Sequence, residues 1–430
     1  MRVFYQLLAN TLISSITTST VWFAVIFYLY LQTQSVLSTS ILSGVYLVCV
    51  ALTGIWFGSI VDHQRKKTAM LLSNGLSLFF FLIVFVLYVA APPGTFTSLS
   101  NPRVWFFIPL TLFGVIAGNI RMIALPTVVT LLIPEKQRDN ANGLVGTVSG
   151  VGFLVTSVIS GFLVGHSGMY WVLLLAIGSL VASTIHLLSI SIPEKKIVAT
   201  QEHPKKIDLR GTIRVISSIP GLLPLIFFTM FNNFLGGVFM ALMDAYGLSL
   251  VSVQVWGLLW GGLSCAFILG GIIIAKYGLG KNPLWALFRS NFIIWGICCF
   301  FTAQPSVLLL AAGAFVYLTV VPYIEAAEHT IIQKVVPAQR QGRVFGFAQS
   351  IEQCASPITA FAIGPIAQFY FIPFMTTGLG ASAIGSWFGT GPNRGIALVL
   401  TLAGIIGLLM TFAAKQSPYY RQLSKYYQTE

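Results

Sequence analysis

The side chains with the most chemical potential in this sequence are charges set inside long apolar runs. Glu325, Glu328 and His329 share one run, and Glu352 lies in the next. At helical spacing, Glu325 falls on one face with Glu328 (i, i+3) and His329 (i, i+4). A charge withdrawn from water in a membrane costs roughly 3 kcal/mol or more unless it is paired or wetted. Crowded carboxylates in that setting are groups that can take up and release a proton. Glu325, Glu328 and Glu352 are therefore candidates for proton coupling, with a static hydrogen-bonded network as the alternative. Arg121 is a lone cation in another run, and Asp244 stands near the end of a third, where an interfacial position is expected. Uncharged polar residues gather in two further runs: Asn10, Ser14, Thr17 and Thr18, then Thr229, Asn232 and Asn233. Trp22, Phe23, Phe227 and Phe231 lie among them. Hydroxyls, amides and aromatic faces together suit an amphipathic organic molecule.

Enzyme chemistry has no matching signature. The chain lacks H-E-x-x-H, G-x-S-x-G and C-x-x-C, and Gly278-Leu-Gly280-Lys281-Asn282 lacks the spacing and the Ser or Thr of a phosphate-binding loop. The histidines (His63, His166, His186, His203 and His329) are scattered, so no catalytic residue, metal site or cofactor is expected. Cys49, Cys265, Cys298, Cys299 and Cys354 all fall in apolar runs and read as packing residues, not as a disulfide framework.

The elements that hold these side chains follow from composition. Hydrophobic residues make up 56% of the 430, and charged residues only 8%, where a soluble domain carries about 25%. Many apolar runs exceed the ~20 residues that cross the hydrocarbon as a helix, and lipid leaves the backbone no other way to satisfy its hydrogen bonds. Twelve spans are expected: 7–31, 38–60, 68–91, 104–133, 142–165, 169–192, 220–244, 251–275, 284–303, 306–333, 344–371 and 395–414. The N-terminus shows no short apolar stretch with a small-residue cleavage site, so the first span is expected to be retained. The fold class is all-α and membrane-embedded.

Net charge is +13, and its distribution reads as topology and not as a nucleic-acid surface. With the N-terminus in the cytoplasm, twenty Lys and Arg fall in cytoplasmic segments and only Arg103 and Arg394 outside. Arg289 lies a few residues into span 9 and is expected to snorkel to the inner surface. Six of the basic residues lie in the polar stretch 193–219, read as a solvated linker, with an amphipathic helix over 209–219 as the other possibility.

The chain also repeats. Gly58-Ser-Ile-Val-Asp62-His63-Gln-Arg65-Lys66-Lys67 follows span 2, and Gly271-Ile-Ile-Ile-Ala275-Lys276-Tyr-Gly278-Leu-Gly-Lys281 follows span 8. Ile133-Pro134 leads to Gly143, and Val336-Pro337 to Gly346, each glycine nine residues past its proline. The pairs are offset by 213 and 203 residues, so the chain is two pseudo-symmetric six-helix halves: 1–192 and 220–414, joined by the 193–219 linker and followed by a cytoplasmic tail, 415–430.

At this point the sequence resembles the major facilitator superfamily over nearly its whole length. The loop after span 2 is similar to the family's G-x-x-x-D-R/K-x-G-R-K/R signature: Gly58, Asp62, Lys66 and Lys67 match, while His63 and Arg65 depart from it. The Ile133–Gly143 and Gln333–Gly346 segments resemble a bacterial subgroup containing macrolide and siderophore exporters. The Gly-Pro signature of drug antiporters is missing from span 5, where the chain reads Val155-Thr-Ser-Val-Ile-Ser-Gly161.

The resemblance implies a secondary active transporter of the bacterial inner membrane, working by alternating access. It implies proton-coupled export of a small amphipathic compound by a monomer in the lipid bilayer, with no nucleic-acid partner. An importer of the same fold, or a non-transporting sensor or scaffold, are the alternatives. It also implies that Asp62 locks against the start of span 11 when the inner side is closed, with Gly58, Lys66 and Lys67 in the lock or, for the lysines, as topology anchors. Spans 1, 4, 7 and 10 line the cavity in this family, which makes Thr18, Arg121, Asn232 and Asn233 candidate substrate residues. Arg121 lies 13 residues before Pro134 and Glu325 12 before Pro337. Equivalent depth leads to the expectation that Arg121 faces the cavity and pairs with Glu325 or Glu328, directly or through water, with binding to backbone carbonyls inside its own half as the alternative.

Overall fold

A computed structural model describes residues 2–33, 36–92, 95–96, 101–193 and 208–429. The described residues fold as helices: α1 (Arg2–Thr33), α2 (Val36–His63), α3 (Lys66–Val89), α4 (Pro102–Ala117), α5 (Asn119–Leu132), α6 (Arg138–Ser167) and α7 (Tyr170–Ser189). There follow α8 (Leu209–Ser218), α9 (Leu222–Leu248), α10 (Val253–Tyr277), α11 (Pro283–Phe300), α12 (Val307–Val335) and α13 (Gln341–Ile366). The last are α14 (Ile372–Thr376), α15 (Leu379–Phe388), α16 (Pro392–Gln416) and α17 (Pro418–Thr429). Eleven segments among the described residues are long and apolar enough to cross a membrane. The 30-residue α6 supplies the remaining span of a twelve-helix bundle.

Helix ends follow local chemistry. Asn101 accepts from Arg103 N at 3.0 Å and Asn282 from Trp285 N at 3.2 Å, each just ahead of a proline at the first helical position of α4 or α11. Span 4 breaks in its middle at Gly118, where the hydrogen bond shortens to Gly118 N on Val115 O. A side chain at Gly118 would crowd Thr18 of α1, so this glycine permits close approach there. Span 11 ends in a π-turn over Ala367–Phe371, after Pro357 and Pro365 have removed backbone donors.

The linker end takes the second of its two expected forms: residues 194–207, with Lys195, Lys196, Lys205 and Lys206, lie outside the described residues, and the segment that follows is helical as α8 and not solvated coil. Two further regions carry helices that the sequence expectation did not include. The tail is also helical, as α17. Between spans 11 and 12 the chain forms α14 and α15, too short to cross a membrane and bounded by Gly378 and Gly389.

The chain divides into two compact units. Unit 1 is Met1–Arg138, Val148–Thr212 and Val336–Ser350. Its core packs Tyr28, Phe81, Phe96 and Phe107 against Met169 and Leu173. Unit 2 is Asp139–Thr147, Ile213–Val335 and Ile351–Glu430. Its core holds Phe239, Trp295, Phe301, Phe388 and Leu400. The first turns of α6 thus belong to unit 2, and those of α13 to unit 1. Arg394, assigned to an outer loop from the sequence, is buried at the start of α16. It donates to the carbonyls of Phe388, Thr302 and Ala303 and to Tyr246 Oη, tying four segments of unit 2 together.

Candidate functional site

In unit 1 the end of α2 meets the start of α13 through glycine. A side chain at Gly58 would collide with the Gly342 carbonyl, and one at Gly346 with the Gly54 carbonyl. Two helices approach this closely only where small residues face each other. The approach delivers the Asp62 carboxylate to the N-terminus of α13, where backbone N–H groups lack intrahelical partners. Gly342 N donates to Oδ1 at 2.6 Å and Arg343 N to Oδ2 at 3.0 Å. The Arg343 side chain adds an ion pair at 3.6 Å. Its Nη2 also reaches His63 Nε2 at 2.8 Å. Arginine can only donate, so His63 Nε2 is the acceptor here. The ring's Nδ1, 2.8 Å from the Ser59 carbonyl, then carries the proton.

Of the signature lysines, Lys66 donates to the Val61 carbonyl at 2.6 Å, with its charge in range of Asp62. Lys67 donates to the carbonyls of Leu188 and Ile190 at 2.8 and 2.6 Å, capping the C-terminus of α7. The basic side chain that joins Asp62 on α13 is Arg343, which the signature alone did not single out.

Unit 2 contains the repeat's counterpart with its polarity reversed. Here the acid sits on the incoming helix: Asp139, at the start of α6, accepts from Leu279 N at 2.9 Å. Asn140 Nδ2 donates to the Ala275 carbonyl at the end of α10, at 3.1 Å. Asn142 donates to Thr330 and Gln333 of α12 at 2.8 and 2.9 Å. Gly143 and Gly271 make the close approaches, to Ile274 and Thr147. Sequence reasoning found the Pro-to-Gly spacing but not Asp139, Asn140 or Asn142. The signal was present as a polar run on the first turn of an apolar span.

The carboxylates expected to cluster do so, in unit 2. Glu328 on α12 is buried and lies close enough to Glu352 on α13 and Thr229 on α9 to interact electrostatically, while the Thr229 hydroxyl itself donates to the Leu225 carbonyl at 3.3 Å. Glu325 is close enough to Glu328 and Glu352 to interact electrostatically with both. None of the three has a Lys or Arg partner among the described residues. Nearby, Asn232 Oδ1 accepts from Trp295 Nε1 at 2.8 Å, while its buried amide nitrogen is left without a partner. The Asn233 carbonyl accepts from Ser356 Oγ at 3.0 Å. Asp244 accepts from Trp256 Nε1 at 2.9 Å and is exposed, as an interfacial acid would be. Thr18 in unit 1 turns its hydroxyl back to the Ser14 carbonyl at 3.1 Å.

Arg121 corrects the expectation placed on it. The side chain is 2% exposed and bonds inside unit 1, to Asn10 Oδ1 at 2.7 Å, Asn74 Oδ1 at 2.9 Å and Thr11 Oγ1 at 3.3 Å. Amide oxygens of α1 and α3 solvate the cation in place of a carboxylate. They are held in turn by Ser183, Thr184 and His186 of α7.

The family model described as Major Facilitator Superfamily matches residues 7–360. Macrolide efflux protein A of Streptococcus pyogenes is 22% identical over 371 residues, covering 83% of this chain and 87% of that protein. Among solved structures, a bacterial homologue of the iron transporter ferroportin in an outward-facing state has a TM-score of 0.70 at 16% identity, covering 97% of this chain and all of that one. The proton:xylose symporter XylE has a TM-score of 0.65 at 11% identity, covering 95% of each chain. The two structures share the fold of this chain.

Proposed function

We propose that this chain, which belongs to the major facilitator superfamily and is a multi-pass membrane transporter and not an enzyme, exports a small amphipathic compound from the bacterial cell in exchange for protons. It acts as a monomer in the inner (plasma) membrane with both termini in the cytoplasm, the orientation favoured by its basic loops. The likeness to macrolide efflux protein A supports export. The observation that carries the coupling is the cluster of Glu325, Glu328 and Glu352, three acids without a Lys or Arg partner among the described residues. Acids so placed need a mobile counter-ion, and the proton is the smallest.

In this reading, Asp62 holds the start of α13 against α2 while the inner side is closed, and its release opens the inner side. The cluster takes up a proton from outside and gives it up inside, and substrate moves the opposite way. Import by the same fold is the second reading, because span 5 has no proline where drug antiporters carry Gly-Pro.

Everted membrane vesicles test both. With a macrolide such as erythromycin as probe, an imposed pH gradient (acid inside) should drive accumulation, and Glu328→Gln should abolish it. Accumulation that ignores the pH gradient and follows sodium refutes proton coupling. Uphill movement seen only in right-side-out vesicles establishes import.

A further inference from the structure

Each unit carries basic residues near the ends of its helices, and the two sets are used differently. In unit 1 the protein itself occupies them: Lys66 and Lys67 donate to helix-end carbonyls at 2.6–2.8 Å, and Arg343 faces Asp62 and His63. In unit 2, Lys281, Arg289 and Lys415 have neither a carboxylate nor a carbonyl partner among the described residues. Two of them rest on aromatic faces instead. The Arg289 guanidinium lies 5.3 Å from the Trp285 ring centre, and Lys415 Nζ lies 5.4 Å from that of Phe292.

These cations border open space. Lys281 and Arg289 line a cavity of about 610 Å³ formed by the end of α10, the first half of α11 and the middle of α12. Arg289 and Lys415 line an adjoining one of about 330 Å³. The larger cavity changes character along its length. Lys281, Asn282 and Arg289 give it a basic, polar mouth, and Ile273, Ile293 and Val320 give it apolar walls. From Asn282 to Ile293 the helix advances ~16 Å at 1.5 Å per residue, about half of the ~30 Å hydrocarbon core. Trp285, 48% exposed, stands at the mouth, as an indole does at a membrane–water interface.

We propose that this cavity is a binding site for an anionic phospholipid. The phosphodiester sits against Lys281 and Arg289, and one acyl chain lies along Ile273, Ile293 and Val320. A soluble phosphate would use the mouth and leave the apolar walls wet, whereas a diacyl lipid covers both. A zwitterionic lipid would bring its own cation into a mouth that already holds two. With the orientation proposed above, the basic mouth lies on the cytoplasmic side and the lipid belongs to the inner leaflet; the site itself does not rest on that orientation.

Native mass spectrometry of the full chain in detergent, titrated with phosphatidylglycerol or with phosphatidylcholine of the same acyl chains, tests the site. Phosphatidylglycerol should bind at least about tenfold more tightly. Lys281→Gln with Arg289→Gln should weaken that binding about 25-fold, or about fivefold for each basic residue removed. Without lipid, the variant's melting temperature should fall by no more than a small amount, because neither side chain has a carboxylate or carbonyl partner among the described residues and Arg289 loses only its contact with the Trp285 ring. Arg421→Gln, on α17, should bind as the wild type does.

Undiminished phosphatidylglycerol binding in the double variant, or equal binding of the two lipids, overturns the proposal. Full displacement by glycerol phosphate at matching concentration overturns it too, since the site would then hold a soluble anion. Loss of export in a protein that still binds phosphatidylglycerol bears on the proposed transport function and leaves the lipid site standing.

Discussion

Asp62→Asn separates the charge of the lock from its shape. The carboxylate accepts two backbone hydrogen bonds at the head of α13, at 2.6 and 3.0 Å, and its side chain is only 2% exposed. An amide of the same size keeps one oxygen. Its nitrogen then points a donor at whichever backbone N–H it replaces. Hydrogen bonds to a charged group contribute about 1.5–3 kcal/mol and neutral ones about 0.5–1.5. The charge at the helix N-terminus adds up to ~2 kcal/mol where it is partly buried. Losing one bond, downgrading the other and removing the end charge together weaken the contact by about 3–4 kcal/mol. At about 1.4 kcal/mol per factor of ten, the state in which α13 is held against α2 loses roughly 10²–10³-fold in population relative to states in which it is free. The helices themselves are untouched, so insertion and yield should match the wild type. The assay is two-part: rate of macrolide extrusion from loaded cells, and reactivity of a cysteine placed at Ser350, which is buried against Gly54 of α2, toward a membrane-impermeant maleimide applied to everted vesicles. Extrusion should fall at least tenfold and labelling should rise. A well-inserted Asp62→Asn protein that transports at the wild-type rate, with Ser350→Cys labelled no faster, would refute the reasoning.

Four further outcomes follow from the geometry. Gly58→Val should impair transport as Asp62→Asn does, because its side chain meets the Gly342 carbonyl; normal extrusion with normal expression would show that the close approach is dispensable. Neutralising Glu325 or Glu352 should stop uphill transport in vesicles while leaving exchange of labelled for unlabelled substrate measurable, and loss of both would point to a structural role. Arg121→Leu should lower the melting temperature by leaving Asn10 Oδ1 unpaired, a cost of about 1–3 kcal/mol. Its effect should add to that of Glu325→Gln within about 0.5 kcal/mol in a double-mutant cycle, since the two have no shared partner. Arg394→Leu removes the hydrogen bonds that Nε and both Nη atoms make to three carbonyls and a tyrosine hydroxyl, and should lower the melting temperature by several degrees without changing the pH dependence of transport.

The spans were legible because a bilayer allows few answers: a 20-residue apolar run must be a helix, and its ends fall where charge resumes. Elements that obey other rules were passed over. α15 is too short to cross a membrane, and α17 alternates tyrosine with charge, so neither registers as an apolar run of spanning length. Gly118 gave no sign of breaking span 4, because glycine inside an apolar run reads equally well as a packing residue. In the lock, Gly58 and Asp62 were visible from their spacing alone. Their partner Arg343 was not, because the contact joins residues 280 and more apart in the chain.

The misreading of Arg121 has a physical cause that bears on mechanism. The expectation matched a positive and a negative side chain at equal depth, as though only opposite charge could stabilise a buried ion. An arginine is a set of donors in a fixed fork, and two or three well-placed amide and hydroxyl oxygens can satisfy much of it. Asn10, Thr11 and Asn74 do so, and the polar residues of α7 behind them keep those oxygens aimed. A carboxylate needs donors instead, and the cluster in unit 2 has few: the Thr229 hydroxyl turns back to the Leu225 carbonyl, and one oxygen of Glu352 is buried with no partner among the described residues. Unit 1 therefore carries a buried cation whose two Nη atoms are solvated by neutral groups, with only its Nε left without a partner among the described residues. Unit 2 carries acids that remain short of donors and of positive charge. On that basis the proposed proton exchange is expected on α12 and α13, with Arg121 as part of the scaffold. Under the proposed function, replacing Arg121 changes how much transporter is folded, and replacing Glu328 changes what drives it.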